Sequence, residues 1–266
     1  VRKYSSADKP DPVDPMLNIP TYWVRPPQTL SAAAGTHRFL WDMHYPDVPG
    51  VETEYPIAAI PHNTAPQPSG QWALPGQYTV VLTANGKSYS QPLTIKMDPR
   101  VKTSLAGLQQ QFKLSHDLYT QLLTLSPAAE QASALRKQLK DLQPRATGEA
   151  LAAVKALDQK LQALAGGATR RPGAGTEPPT LGGLKTKYLT LFVVFQEADV
   201  APSTQAAAAV ADLQKQLPPL MDRWNALKSQ DIPTLSKQLK DANLPELKLE
   251  TAAFPARATV SSKDED

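Results

Sequence analysis

Two stretches, residues 35–47 (GTHRFLWDMHYPD) and residues 75–100 (PGQYTVVLTANGKSYSQPLTIKMDPR), decide how the first hundred residues are read. Phe39 and Trp41 alternate with Arg38, Leu40 and Asp42. That alternation places two large aromatics on one face of a predicted strand, as a half-buried sheet requires. Further on, residues 77–84 (QYTVVLTA) and 87–96 (KSYSQPLTIK) flank Asn85-Gly86. An Asn-Gly pair between β-branched runs is the strongest local hairpin signal, because both central turn residues must accept positive φ. Phe39, Trp41 and Tyr78 are the expected structural core of a β module over residues 1–100, with Asn85 and Gly86 as its hairpin turn.

Upstream of the hairpin the prolines are dense. DKPDPVDP, RPPQ and HNTAPQPSG separate short apolar patches between residues 8 and 70, which favours extended loops and edge strands over helices. Downstream, after Asp98-Pro99-Arg100, the period changes. Leu105, Leu108, Phe112, Leu118, Leu122 and Leu125 recur at helical spacing, Leu135, Leu139 and Leu142 follow, and Leu151, Val154, Leu157, Leu161 and Leu164 continue the pattern. At least three amphipathic helices are expected there. Further helices are expected over residues 184–200 and 204–230, the second interrupted at Pro218-Pro219, before a last short one in PTLSKQLKDAN. Residues 101–250 therefore read as an antiparallel helical bundle. The segment 165–183 (AGGATRRPGAGTEPPTLGG) lacks periodicity and reads as a mobile, protease-sensitive connection. Residues 251–266 read as a tail ending in the solvated acidic run SSKDED. The fold class expected from the whole is α+β with more than one domain.

Composition narrows the function classes. A chain of 266 residues is long enough for two cores. Lys plus Arg number 28 against 25 Asp plus Glu, and the excess is spread along the chain, whereas nucleic-acid binding needs clustered cations. Cysteine is absent, which removes disulfides, thiolate zinc sites and a cysteine nucleophile. The most apolar run, YLTLFVVF at residues 188–195, is far shorter than the ~20 residues that cross a bilayer. The chain opens at Val1 without an initiator methionine, and VRKYSS reads as the second half of a strand. A fragment or processed product is expected.

No residue pattern here demands a cofactor. His37, His44 and His62 lie in the loop-rich half and could meet at a metal with Asp47 or Glu52, but their spacing matches no zinc motif, so no metal site is assigned. His116 sits among Gln and Lys neighbours and reads as a solvated surface residue. Asp42, Asp47, Glu52 and Glu54 supply carboxylates of the type a glycosidase pair uses, yet acidic loops are common and no catalytic residue is assigned. Trp41-Asp42 occurs once, without the period a propeller dipeptide would carry. The exposed candidates for a binding surface are Tyr22, Trp23 and Arg25 in IPTYWVRPP, since an aromatic pair beside a cation can stack a sugar or anchor a partner. Arg170-Arg171 could meet an anionic partner or mark a processing site.

The order GTHRFLWDMHYPD, PGQYTVVL, NGKSYSQPLTIKMDPRV and a helix with LQQQFKLSHDL resembles the C-terminal region of large exported bacterial proteins, the BNR-repeat glycosyl hydrolase-like and sortilin-like β-propeller proteins. The resemblance runs from VRKYSS to NALKSQDIPTLSKQL. It implies that residues 1–100 form an immunoglobulin-like β-sandwich similar to that of flagellar hook-capping proteins, followed by helices, with a propeller upstream. It also implies an extracellular or periplasmic location. Nothing in this chain resembles the propeller's own repeat. On this resemblance the chain is a non-catalytic accessory region, whose partner is the upstream propeller or another chain pairing with the strand at Val1, Arg2, Lys3 and Tyr4. The alternatives are a carbohydrate-binding part of a glycoside-active enzyme whose catalytic residues lie upstream, and a self-assembling extracellular subunit.

Overall fold

A computed structural model describes residues 1–9, 13, 16–25, 28–48, 50–51, 54–166 and 178–249. The protein is largely helical with one small sheet. Two antiparallel strands, β1 (Gly76–Ala84) and β2 (Lys87–Ile95), are followed by helices α1 (Leu105–Leu142), α2 (Gly148–Ala165), α3 (Leu181–Gln196), α4 (Thr204–Ala226) and α5 (Ile232–Asp241).

Helices α1, α3 and α4 start where the chain offers a side-chain cap. The side chains of Ser104, Thr180 and Ser203 accept from the backbone N–H of Gly107, Gly183 and Ala206, answering donors that a first turn leaves without partners. The apolar runs around Leu118 and Leu139 belong to one helix, α1, of 38 residues and about 57 Å. Pro127 lies inside it. Its missing N–H frees the carbonyl of Leu123, a residue on the exposed side.

Pro218 and Pro219 do not interrupt α4, contrary to the sequence expectation. Both are exposed, between buried Leu217 and Leu220. The carbonyls they leave without donors, those of Gln214 and Lys215, lie on the more exposed side of the helix, where solvent can answer them. The irregularity comes later, as a π-helical turn at Leu227–Asp231.

Polar contacts fix the helix directions. On α1 and α3, Gln111 reaches the Phe195 carbonyl (2.6 Å), Gln121 accepts from the Tyr188 hydroxyl (2.7 Å) and Glu130 pairs with Lys185 (2.9 Å). Rising numbers on one helix meet falling numbers on the other, so the two are antiparallel. Arg136–Asp158 does the same across the short α1–α2 connection. Lys160 on α2 binds Asp231 before α5. The core between them holds Leu118, Leu122, Leu161, Tyr188, Phe192 and Trp224, each at most 1 % exposed. Full burial of one such side chain stabilises by about 1.5–3 kcal/mol, so the bundle carries most of the fold.

The immunoglobulin-like β-sandwich expected over residues 1–100 is not there. Among the described residues the sheet has two strands, and the remaining pairing consists of isolated bridges at His44–Trp72 and Glu54–Gln67. Proline explains much of this, because it removes donors a ladder needs. Local contacts explain the rest. Phe39 and Trp41 do not lie on a strand: Phe39 packs edge-on to Tyr4 (4.6 Å between centroids), the Trp41 indole N–H donates to the His44 carbonyl (3.0 Å), and the Leu40 N–H donates to the Gln28 side chain (3.0 Å). Phe39, Trp41 and Tyr78 are half-buried and stand outside the main core.

The opening is not a strand either. Arg2 binds Asp42 and the Tyr45 carbonyl and lies over the Tyr4 ring. What the described residues before β1 make is an irregular layer laid on the bundle, continuous with its core through Val48.

Candidate functional site

The hairpin exposes an apolar face of several neighbouring side chains. Asn85 and Gly86 have φ of 52° and 73°, the pair of positive values a type I′ turn uses. Tyr78 faces Leu93, Val80 faces Gln91 and Leu82 faces Tyr89 across the ladder. Side chains alternate in a strand, so Tyr78, Val80, Leu82, Tyr89, Leu93 and Ile95 share one face. The other face is mostly polar, although it also carries exposed Val81: Thr83 bonds Ser88 (2.9 Å) and Thr94 bonds Gln77 (2.9 Å). An amphipathic sheet normally buries its apolar face. Here Val80, Leu82 and Tyr89 remain 51 %, 51 % and 57 % exposed.

At its base the hairpin is anchored. The Tyr78 hydroxyl donates to the Leu74 carbonyl (2.5 Å) and its ring meets Trp41 at 6.0 Å. An open cleft of about 340 Å³ lies between that base and the bundle, lined by Met43, Trp72, Ile95, Met97 and Phe112 among others. Its walls are mostly apolar, and its neighbouring polar groups hold the layer in place. Gln71, fully buried, donates to the Phe112 carbonyl and the Ser115 hydroxyl and accepts from His116 Nδ1 (3.0, 2.8 and 2.8 Å). Trp72 N–H donates to Gln196 on α3 (2.9 Å).

His116 is therefore half-buried and stacked on Phe112 (5.6 Å, 8° between planes), not a solvated surface residue. The helical stripe around it gave no hint of the partner, because Gln71 lies 45 residues away. Tyr45 packs edge-on against His116 (5.7 Å between centroids), and burial raises its phenol above the usual value. Burial also pushes Tyr119, beside it, up to about 12.

The remaining candidates separate. His37 Nε2 meets the Ala33 carbonyl, His44 Nδ1 donates to the Asp42 carbonyl and His62 Nε2 meets the Tyr22 carbonyl, all within 2.8 Å. Among the described residues no group of three or more His, Asp or Glu could hold a metal. Asp42 is engaged by Arg2 (3.2 Å) and by the His44 N–H (3.1 Å), Asp47 accepts from Gly70 N–H (2.9 Å), and Glu54 forms its bridge to Gln67. Glu52, Arg170, Arg171, residues 167–177 of the predicted connection and the acidic tail lie outside the described residues.

Tyr22, Trp23 and Arg25 come together around His62, through a 3-10 turn at Thr21–Trp23. His62 N–H donates to the Trp23 carbonyl (2.8 Å), and Arg25 donates to the His62 and Asn63 carbonyls and the Asn63 side chain. Trp23 is half-buried in this clasp, while Tyr22 stands 74 % exposed. The residues that sequence reasoning missed as surface features are Val80, Leu82 and Tyr89. Their alternation is visible, but only the structure shows that no described residue covers the face they make.

No helix among the described residues is long and apolar enough to cross a membrane. Comparison with protein families, with curated proteins and with solved structures gives no match.

Proposed function

We propose that this chain is a non-catalytic interaction region of a larger exported protein, in which the helical bundle is the platform and the hairpin is the docking element. One observation carries the reading: the apolar face of Tyr78, Val80, Leu82 and Tyr89 is held out by an anchored base and left uncovered at its tip. Exposed apolar surface that is rigidly displayed marks an interaction site. The loop histidines His37, His44 and His62 and the carboxylates of Asp42 and Asp47 serve as structural ties, which fits a scaffold. By the resemblance of its motifs, the partner is an upstream β-propeller.

Native mass spectrometry of the protein purified untagged from its source tests this. The expected result is a complex of this 28.8 kDa chain with a polypeptide carrying propeller repeats, weakened by Leu82→Ser together with Tyr89→Ser. Unchanged association in that double variant would remove the hairpin as the docking element.

A second reading, a carbohydrate-binding part of a glycoside-active enzyme, rests on Tyr22, whose ring is 74 % exposed beside the Trp23–Arg25 clasp. Binding to oligosaccharides that is lost in Tyr22→Ala would favour it over the first.

A further inference from the structure

The two edges of the hairpin are not equivalent. In a two-residue type I′ hairpin the residues flanking the turn, Ala84 and Lys87, exchange both backbone bonds, and hydrogen-bonded and non-hydrogen-bonded pairs then alternate down the ladder. The pairs 84/87, 82/89, 80/91, 78/93 and 76/95 are thus bonded inward. Gln77, Thr79, Val81 and Thr83 on β1, and Ser88, Ser90, Pro92 and Thr94 on β2, direct their backbone groups outward. On β2 this places Pro92, which has no N–H, in the middle of the outer edge, a position that blocks further pairing. On β1 the four outward residues keep both donor and acceptor, carry no charge, and pair with no other strand among the described residues.

We infer that the outer edge of β1 pairs antiparallel with β1 of a second copy of this chain, giving a four-stranded sheet in the order β2-β1-β1′-β2′. This inference goes beyond the reading of the hairpin's apolar face as the docking surface for the propeller: it concerns the strand edge, and it leaves that face open on one side of the four-stranded sheet. Three features point to a second copy. The strand GQYTVVLTA is uncharged, so juxtaposing it with itself costs no charge repulsion. A two-fold axis at Val80 pairs all nine residues, Gly76 with Ala84′, Gln77 with Thr83′, Tyr78 with Leu82′ and Thr79 with Val81′, so that every outward-directed residue meets another. The same axis keeps both apolar faces on one side and sets Tyr78 across from Leu82′, an aromatic–aliphatic pair of the kind that stabilises sheets.

Pro92 then has a function in the assembly. It closes the sheet at four strands, so pairing yields a symmetric dimer and does not propagate into fibres. A single strand pair lies at the small end of stable interfaces, which makes the dimer concentration-dependent.

Because the chain has no cysteine, Val80→Cys gives a decisive probe. At the axis, Val80 and Val80′ form a non-hydrogen-bonded pair with Cα atoms ~4.5 Å apart, within disulfide reach. Oxidation should double the mass of Val80→Cys, whereas Thr83→Cys, six residues from its own symmetry mate along the strand pair, should remain a monomer under the same treatment. In sedimentation equilibrium of the otherwise native chain, Thr79→Pro removes one outward N–H without touching the inward ladder and should weaken dimerisation by at least about tenfold. Ser90→Pro, the matching change on the β2 edge, should leave it unaltered. Pro92→Val should extend the dimer to higher oligomers. Circular dichroism confirms that each variant keeps its helices.

A monomer at every concentration, or equal cross-linking at positions 80 and 83, overturns the self-pairing. If Thr79→Pro instead abolishes binding of a propeller-bearing chain, the edge belongs to that chain and the second copy is refuted while the docking reading stands. If the self-pairing is absent and Leu82→Ser with Tyr89→Ser also leaves that binding intact, both fail.

Discussion

The His44 imidazole and the Trp72 indole lie 3.7 Å apart, centroid to centroid, across the bridge that joins residues 43–45 to residues 71–73. Burial pushes the His44 pKa below its ordinary value, opposed by the Asp42 carboxylate, the Asp42 carbonyl bond and Asp47, and aided by nearby Arg2. The neutral ring is the form the fold holds.

A pH dependence follows from that pair. A histidine whose folded pKa is depressed contributes stability that is present above its unfolded value of 6.5 and is lost as pH falls through the folded value. Between the two, the unfolded chain binds the extra proton, with a slope of at most about 1.4 kcal/mol per pH unit. Quenching of Trp72 fluorescence by the charged ring should therefore have its midpoint below 6.5 and vanish in His44→Gln. A midpoint at or above 6.5 would show that Asp42 and Asp47 outweigh burial.

Ser126 offers a stabilising change. Its residue is fully buried in α1, and its hydroxyl is the buried side-chain polar atom without a hydrogen-bond partner among the described residues. Ser126→Ala removes an unanswered polar group, keeps the Cβ and improves helix propensity, so unfolding should cost about 1 kcal/mol more. Urea denaturation with an unchanged slope and a higher midpoint is the expected readout. A lower midpoint would mean that the hydroxyl is satisfied in solution.

The sequence legibility of this fold differs element by element, and for physical reasons. Leu118, Leu122 and Leu125 betray α1 because a helix repeats its buried face every turn. Asn85-Gly86 betrays the hairpin because few other residues accept two positive φ values. Those are local constraints. Phe39 and Trp41 misled because alternation shows which way side chains point and says nothing about whether a second strand is present to bond the backbone. Gln71 and His116 were illegible for the opposite reason: their bond spans 45 residues and no local period encodes it. The apolar face of the hairpin is half legible. Its alternation is written in QYTVVLTA and QPLTI, but the uncovered state of Leu82 and Tyr89 depends on what the rest of the chain fails to place over them.

The two prolines of α4 make a measurable claim about propensity. Pro218 removes the donor that the Gln214 carbonyl would accept from, on an exposed helix face between buried Leu217 and Leu220. Pro218→Ala restores that bond without altering the core, and it should raise stability by about 1–3 kcal/mol. Thermal unfolding checks this, and an unchanged or lower midpoint would show that the prolines set a bend on which the π-helical turn at Leu227–Asp231 depends.

Gly70 tests whether the irregular layer and the bundle unfold together. A Cβ there would stand 2.0 Å from the Tyr45 carbonyl oxygen and 2.6 Å from that of Pro46, both backbone atoms that no rotamer change can move. The Gly70 N–H is tied to Asp47, and the next residue, Gln71, holds Ser115 and His116 of α1. Gly70→Ala must push residues 45–46 and 70–71 apart, at a cost of about 1–3 kcal/mol or more. That displacement reaches α1 at Ser115, His116 and Tyr119, while most of the core that α1 contributes, from Leu122 to Leu142, lies beyond it. Hydrogen exchange should therefore show faster exchange at Tyr45 and Ala73, whose N–H groups make the bridging bonds, with α1 and α3 still protected and far-UV circular dichroism unchanged. Matching loss of protection in Leu122 and Phe192 would mean that the layer is part of the bundle's cooperative unit, and that the hairpin is held out by the whole fold and not by its base alone.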